Sequence, residues 1–239
     1  MFNYLFAFLS LAGLSLISIL FFQPRWILSL ASLIVPGVVY FAKTDKPIIA
    51  LTIDDSPDAV ATAKILEILQ RYQAQATFFI ISDRVNGNES VIREVVNQGH
   101  ELANHLTEDK PSIQLSPQEF ETDLLEAHAI LSNFAKPCWL RPGGGWYSTT
   151  MVKIARQHGY RVALGSIFPF DTHIPSSWFA SMQILCNARP GSIIILHDSG
   201  LWGERTALTL SRVLPKLSQK GYQVVTLSEL YNMGENQRE

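Results

Sequence analysis

The feature that most constrains the fold is an apolar run that ends abruptly in two adjacent carboxylates. Residues 47–53 are almost all apolar and rich in β-branched side chains, which predicts a strand buried on both faces of a parallel sheet. The run stops at Asp54 and Asp55, and a helical pattern begins near Ala59. The paired aspartates are therefore expected at the carboxyl end of a strand that leads into a helix, where α/β folds place their chemistry.

Two adjacent carboxylates are more than a helix start requires. One Asp followed by Ser56 and Pro57 suits a helix N-cap, so a capping role for one of the two is an open alternative. Neighbouring like charges raise each other's pKa unless a cation or hydrogen-bond donors hold them. We therefore expect a cationic group close to Asp54 and Asp55.

Length and composition narrow the classes of partner. The chain has 239 residues, of which 47% are hydrophobic and 17% charged, enough for one main domain with a substantial core. With a net charge of -2 and no basic stripe, nucleic acid is not expected as a partner, and neither is an obligate protein partner. The two cysteines, Cys138 and Cys186, have no disulfide or zinc spacing and are expected to be ordinary buried thiols.

The amino-terminal segment is predicted to contact a membrane. Residues 4–22 carry no charge, and at about 1.5 Å per residue they are long enough to cross a hydrocarbon core of roughly 30 Å. We predict a transmembrane anchor or uncleaved signal over residues 1–24. A cleaved signal peptide is the alternative, although a basic leading region and a small-x-small cleavage site are missing.

Residues 25–46 are expected to form a linker with a short interfacial helix and a strand near residues 38–41. The basic residues in this region indicate on which side of the membrane the domain that follows lies. Arg25, Lys43 and Lys46 all follow the first apolar span, and only the α-amino group precedes it. By the positive-inside rule this distribution favours a cytoplasmic domain.

The catalytic domain is predicted over residues 47–235, where strand-like and helix-like segments alternate. The seven predicted strands are residues 48–54, 76–81, 100–103, 138–141, 161–165, 192–197 and 222–225. Ser116, Pro117 and Glu119 form a capping-box pattern that opens a helix to about Phe134. Such alternation predicts a (β/α)7 barrel, complete or incomplete, with an open doubly wound sheet as the alternative.

Polar residues follow the carboxyl ends of the predicted strands, and in a barrel these ends meet at one mouth. His105 and Asp109 follow the third strand, and Arg141 lies at the end of the fourth, with Gly143, Gly144 and Gly145 just after it. Asp171 follows the fifth strand, and His197 lies at the end of the sixth. We therefore expect them to surround Asp54 and Asp55.

This set of side chains suits metal-assisted hydrolysis. Asp55, His105 and Asp109 supply the three protein ligands that catalytic zinc takes, and the four-residue interval from His105 to Asp109 returns to one side of a helical turn. Asp54 is then free to accept a proton, and His197 can donate one to a leaving amine. No serine or cysteine nucleophile is required.

Two further groups fit the same chemistry. Arg141 is expected to hold Asp54 ionised and oriented. The glycine run from Gly143 to Gly145 allows backbone N–H groups to approach a developing oxyanion.

Four spaced motifs resemble those of the polysaccharide deacetylases, carbohydrate esterase family 4, over about residues 36–230. The motifs are Thr52-Ile53-Asp54-Asp55, Gly99-His100-Glu101-Leu102-Ala103-Asn104-His105 with Asp109, Arg141-Pro142-Gly143-Gly144-Gly145, and Ile195-Leu196-His197-Asp198. The resemblance implies a distorted (β/α)7 barrel. It also implies removal of acetyl groups from chitin, chitooligosaccharides, peptidoglycan or xylan with a divalent metal, for which zinc is the expected ion.

The resemblance also implies a role for each site residue. It makes Asp54 the base, tethered by Arg141, and His197 the acid, with Asp171 as its partner. The implied metal ligands are Asp55, His105 and Asp109.

The sequence departs from the family pattern after His105. The family pattern has Ser or Thr and then a second His four residues on, whereas this chain has Leu106 and Asp109. A carboxylate in place of imidazole makes the site more anionic and favours harder metals than zinc. The family's fourth motif is only loosely matched by residues 168–171.

Aromatic side chains near the strand ends are candidates for sugar stacking, with simple packing as the alternative. They are Trp146, Tyr147, Phe168, Phe170 and Trp202.

Two functions remain open from the sequence. The first is a membrane-anchored, metal-dependent deacetylase of an N-acetylated polysaccharide or oligosaccharide, with its catalytic domain outside the cytoplasmic membrane, where such glycans lie. The second is a catalytically silent relative that only binds glycan. The presence of Asp54, Arg141 and His197 favours the enzyme, because a binder needs no acid and base.

Overall fold

The computed structural model describes residue 13 and residues 15–235. The strands in this part of the chain are β1 (Val38–Val39), β2 (Ile48–Ser56), β3 (Thr77–Ile80), β4 (Glu101–Asn104), β5 (Trp139–Leu140), β6 (Arg161–Ala163), β7 (Ile193–His197) and β8 (Gln223–Val225). The helices are α1 (Ser15–Phe22), α2 (Arg25–Ile34), α3 (Ala61–Arg71), α4 (Glu89–Asn97), α5 (Pro117–Leu131), α6 (Thr149–Gln157), α7 (Ser177–Asn187), α8 (Leu201–Gln219) and α9 (Leu227–Glu235).

The strands form one parallel sheet in the order β1-β6-β5-β4-β3-β2-β7, with β8 paired to the first residues of β2. All seven predicted strands and the short strand near residue 38 are confirmed, with shifted ends. From β2 to β6 each strand lies beside the strand that precedes it in the sequence. The strand order therefore does not reverse direction within this run, whereas it does in a doubly wound sheet. Beyond β6, Ile167 bridges to Ile194 of β7, which brings the two sides of the sheet together. The fold is an incomplete α/β barrel.

Strand β2 shows how the sheet separates packing from chemistry. Ile49, Leu51 and Ile53 point to the outer face and join the core cluster that includes the apolar sides of α3 and α8. Ile48 and Ala50 point to the inner face, into a second buried cluster. Because side chains alternate along a strand, the next two residues of the inner row are Thr52 and Asp54, at the carboxyl end.

The amino end of the barrel is closed by α9. Leu227 and Leu230 of this helix pack into the inner cluster with Trp139, whose indole N–H donates to Ser228 Oγ at 2.8 Å. Apolar side chains therefore fill much of the lower part of the interior, where Glu101 also accepts from Thr77 Oγ1 at 2.7 Å and from the Ser228 N–H at 3.1 Å.

Two local predictions have opposite outcomes. The capping box at Ser116 is confirmed, since its side chain accepts from the Glu119 N–H while the Glu119 carboxylate accepts from the Ser116 N–H. The expectation that both cysteines are buried is wrong for Cys186, which is exposed on α7, whereas Cys138 is partly buried. Cys186 lies on the side of α7 that faces away from the core, so its thiol is not buried.

The predicted anchor over residues 1–24 lies largely outside the described residues. Within residues 15–235 no single helix is both long and apolar enough to cross a membrane; α1 and α2 meet the requirement only as a pair, and they are bent by 86° at Gln23 and Pro24. The predicted helix in the linker is present as α2.

Candidate active site

A cavity of about 530 Å³ opens at the carboxyl ends of the strands. Six of the predicted site residues line it together: Asp54, Asp55, His105, Asp109, Arg141 and His197. Gly144, Gly145, Phe168 and Trp202 complete the predicted part of the lining. The expected convergence of strand ends on one mouth is therefore observed.

Arg141 is the buried cation beside the paired aspartates. It follows β5 and is only 2% exposed, with Nη1 donating to Asp54 Oδ1 and, at 2.8 Å, to Thr52 Oγ1. Its Nε and Nη2 donate to the backbone carbonyls of Ala163 and Leu164 at the end of β6. Burial lowers the pKa of Arg141 and the Asp54 charge opposes this change. The carboxylate of Asp54 thus has one oxygen fixed by a cation.

His197 is held by Asp171 on the other side of the cavity. Asp171 is 1% exposed, accepts the His197 backbone N–H at 2.9 Å, and places both carboxylate oxygens 3.1 Å from Nδ1. Burial disfavours the charged imidazole, but the bond to Asp171 and the charges of Asp171, Asp54 and Asp55 outweigh burial and raise the pKa of His197 to about 9. The imidazole is therefore protonated at neutral pH.

Asp55 and His105 form the pair best suited to hold a cation. Asp55 Oδ1 lies 3.5 Å from His105 Nε2, and His105 Nδ1 lies 2.6 Å from the carbonyl oxygen of Arg141. A carbonyl acceptor at Nδ1 leaves Nε2 turned toward the carboxylate, the arrangement usual for a histidine metal ligand. Burial opposes ionisation of both groups, yet their mutual contact lowers the pKa of Asp55 and raises that of His105.

Asp109 lies on the same cavity wall but faces a different partner. Its carboxylate is half exposed and pairs with Arg84 Nη2 at 3.3 Å, while Arg84 Nη1 donates to the backbone carbonyl of Asp55 at 2.5 Å. Among residues 15–235 no group of three or more His, Cys, Asp or Glu side chains is arranged to hold a metal ion. The structure thus assembles two of the three predicted ligands, and the ligand role of Asp109 stays a prediction.

The backbone is strained at two of these positions. Asp55 and Leu106 have φ of 65° and 66°, a region that residues other than glycine seldom adopt. Such conformations persist only where the surroundings impose them, and they concentrate at functional sites. Here one of them is Asp55 itself and the other, Leu106, directly follows His105.

Comparison with known proteins decides the family. The model of the polysaccharide deacetylase family matches residues 41–163, about half of the chain. A peptidoglycan-N-acetylglucosamine deacetylase of Bacillus cereus is 34% identical over 196 residues, which cover 81% of this chain and 92% of the relative. The chain belongs to the polysaccharide deacetylase family.

Two solved structures show the range within carbohydrate esterase family 4. An acetyl xylan esterase from Clostridium thermocellum, in complex with a cobalt ion, has a TM-score of 0.71 and 30% identity, covering 78% of this chain and 91% of its own. A mutant of a pseudoenzyme, with restored enzymatic activity, has a TM-score of 0.76 and 26% identity, covering 82% of this chain and 71% of its own. The shared fold therefore occurs with and without catalytic activity.

Two of the three backbone amides in the glycine run of this deacetylase-family chain already donate hydrogen bonds within the protein, which the sequence did not indicate. Gly143 donates its N–H to Ser112 Oγ at 2.7 Å, and Gly145 donates to the carbonyl of Pro142 at 3.1 Å. A Cβ at Gly143 would lie 2.2 Å from the Lys110 carbonyl oxygen, so glycine is required there for close packing. Stabilisation of an oxyanion by this run stays a prediction, and its clearest candidate is the Gly144 amide.

The five aromatic candidates divide between the cavity and the surface. Phe168 and Trp202 line the cavity, and the Phe170 ring is 5.2 Å from that of Phe168. Trp146 is 69% exposed and does not line the cavity, while the Tyr147 hydroxyl bonds to that of Tyr40. Packing thus accounts for Tyr147 in this structure.

Sequence reasoning missed two polar groups that shape the site, Arg84 and His173, and assigned no role to a third, Asp198. Arg84 follows β3 at the same edge as the other site residues, so the strand-end rule could have found it. His173 lines the cavity two residues after Asp171, in the same loop. Asp198, fully buried, accepts from Ser56 and Thr62 hydroxyls at 2.8 and 2.5 Å and holds the chain after Asp55.

Replacing Asp171 by Asn is expected to move the alkaline limit of activity to lower pH. His197 can donate a proton only while protonated, so the wild-type rate should fall as pH rises through about 9. An amide removes the charge that favours the imidazolium, which lowers the pKa of His197. The measurement is the pH profile of kcat for acetate release.

Glu121→Gln is the matched control, because Glu121 pairs with His158 at 2.6 Å but lies outside the cavity. Its pH profile should equal that of the wild type. An unshifted alkaline limit in Asp171→Asn would show that Asp171 does not set the charge of His197.

Proposed function

We propose that this chain is a metal-dependent hydrolase that removes acetyl groups from an N-acetylated glycan of the peptidoglycan or chitooligosaccharide type. The proposal rests on one observation. Asp54, bound to buried Arg141, and His197, bound to Asp171, line the same cavity as the Asp55–His105 pair. The names of the relatives support the substrate class.

The donor set of the cavity partly fits a divalent cation. Asp55 and His105 would hold it, since carboxylate oxygen and imidazole nitrogen both suit zinc and similar ions. Asp109 would join them if its carboxylate exchanged Arg84 for the ion. When bound, such a metal polarises the acetyl carbonyl and makes a water molecule more acidic.

Asp54 and His197 then have separate proton-transfer roles. Asp54 accepts a proton from the water that adds to the acetyl carbonyl carbon, because Arg141 keeps it oriented toward the cavity. His197 donates its proton to the sugar nitrogen as the C–N bond breaks. The first products are acetic acid and the free amine, which exchange a proton to give acetate and the ammonium group. Loss of the proton from Asp54 and uptake of one by His197 restore the enzyme, and no covalent enzyme intermediate is formed.

A glycan-binding protein without catalytic activity is the second candidate, and it has support from the pseudoenzyme of the same fold. Binding alone would give no reason for a buried Arg–Asp pair, which costs several kcal/mol of desolvation for each ion. It would also give no reason for a histidine kept charged inside the cavity. These two features favour the enzyme.

Asp54→Asn should abolish acetate release from N-acetylated chitooligosaccharides while leaving metal and glycan binding largely intact. The amide keeps the shape but cannot accept a proton, so the rate should fall by about 10²- to 10⁴-fold. His197→Ala should reduce the rate with little change in metal content. Asp45→Asn, at an exposed position outside the cavity, is the control. Near-normal acetate release from either site variant would disprove its assigned role.

Asp109→Ala should weaken metal binding by an order of magnitude or more if Asp109 is the third ligand. Glu108→Ala is the control, since its side chain pairs only with Lys110. Asp109→His should restore binding and shift preference toward zinc, because imidazole is the softer donor. Metal titration of the chelator-treated variants decides the matter. An unchanged dissociation constant in Asp109→Ala would leave Asp55 and His105 as the only protein ligands among the three.

We further propose that the amino-terminal segment anchors the chain in the cytoplasmic membrane with the catalytic domain outside. The length of the uncharged segment and the location of N-acetyl glycans support this, against the charge distribution around residue 25. A topology reporter fused after Glu239 should be active only outside the cytoplasm. Activity confined to the cytoplasm would reverse the assignment.

A further inference from the structure

Gln23 connects the amino-terminal helices to the wall of the cavity. It lies at the bend between α1 and α2, with a positive φ of 42°. Its side-chain amide bonds to both backbone groups of Phe168: Nε2 donates to the carbonyl at 2.6 Å, and Oε1 accepts from the N–H at 2.8 Å. A primary amide can bond to both the backbone N–H and the backbone C=O of one distant residue. It then restrains that residue as a neighbouring strand would.

The sheet provides no such partner for Phe168 within the described residues. The preceding residue, Ile167, exchanges its N–H and carbonyl with β7 through Ile193 and Ile195, each at 3.0 Å. On the other side, the last bond of the β1–β6 ladder is Leu164 N–H to the Val39 carbonyl at 2.9 Å. Gln23 therefore supplies the backbone bonds that no strand supplies to Phe168 within the described residues.

The side chain of Phe168 lies where substrate would enter. Its ring lines the cavity and meets the His197 ring edge-on at 6.3 Å between centroids. A small movement of the Phe168 backbone would therefore move an aromatic face relative to the proton donor. Sugar rings bind against such faces because aromatic side chains bury a large apolar area in a fixed orientation.

The helix pair that carries Gln23 is itself fixed to the barrel. Asn187 of α7 donates Nδ2–H to the Phe21 carbonyl at 2.9 Å, and Arg25 donates to Ser192 Oγ at 2.9 Å. Apolar side chains of α1 and α2, together with Phe168 and Phe170, line a second cavity of about 290 Å³. Gln23 is thus held in place from both sides of the bend.

We infer that Gln23 is a positioning residue for substrate binding, which holds Phe168 against the sugar ring beside the scissile acetamide. The amino-terminal helix pair is then part of the active-site wall in addition to any role as an anchor. This inference rests on the proposed function for the identity of the substrate and on the two hydrogen bonds for the geometry.

The test compares Gln23→Ala with wild type in the full-length protein, using N-acetylated chitotetraose as the probe. Loss of two hydrogen bonds to one backbone site should raise KM and the Kd for chitotetraose by about tenfold, with kcat changed less than about twofold. Ser29→Ala is the matched control, because it removes a hydrogen bond within α2, from Ser29 Oγ to the Arg25 carbonyl at 3.0 Å, without touching Phe168 or the bonds that fix the helix pair to the barrel. It should leave KM, Kd and kcat near the wild-type values.

A double-mutant cycle with Phe168→Ala separates positioning from general stability. If Gln23 acts through the Phe168 ring, Gln23→Ala should have no further effect on Kd once that ring is absent. Gln23→Glu gives a second check, since an ionised carboxylate accepts from the Phe168 N–H but cannot donate to its carbonyl. The ratio of its Kd to the wild-type Kd should therefore fall as the pH falls, because the protonated carboxyl can donate to the Phe168 carbonyl.

Additive effects in the cycle, an unchanged Kd in Gln23→Ala, or an equal rise in Ser29→Ala would each overturn the inference. The Kd is measured without turnover, so the two proposals can fail separately. A protein that binds chitotetraose through Gln23 and Phe168 but releases no acetate would contradict only the proposed reaction. A wild-type protein that does not bind chitotetraose would contradict this inference.

Discussion

The buried ion pair between Arg141 and Asp54 is the interaction on which the rest of the site depends. A guanidinium that is 2% exposed is tolerated only with its donors satisfied, and here Asp54, Thr52 and two carbonyls at the end of β6 satisfy them. The guanidinium carbon also lies 4.0 Å from the centroid of the Phe79 ring. Removing one partner of such a pair typically costs about 3–5 kcal/mol, so the group that orients the base also holds the strands together.

The sequence predicted those parts of the site that follow from strand periodicity and strand ends. The buried run before Asp54 and the strands before Arg141 and His197 determine where these side chains converge, because a parallel sheet brings its carboxyl ends to one edge. The pairing of Asp109 with Arg84 could not be read in the same way. It depends on the path of two loops, whereas the ligand role of Asp109, expected from its spacing after His105 and from the family resemblance, stays a prediction.

The contact of Gln23 with Phe168 shows a different limit of prediction. The two residues are 145 positions apart, and Gln23 belongs to no recognisable motif. Phe168, unlike Ile167 before it, has no strand partner within the described residues, and the Gln23 amide takes that place. The bend that ends the predicted anchor is therefore also the point at which the amino-terminal helices bond to the wall of the cavity at Phe168.

The central claim is that a divalent metal beside Asp54 and His197 supports hydrolysis of an N-acetyl group. The most direct test is to titrate the chelator-treated protein with zinc, cobalt or manganese and to measure bound metal and acetate release in the same samples. The account predicts that acetate release from N-acetylated chitooligosaccharides is lost with the metal and returns in proportion to occupancy, up to one ion per chain. Full acetate release from metal-free protein, or a fully occupied site without acetate release from N-acetylated chitooligosaccharide or peptidoglycan, would contradict it.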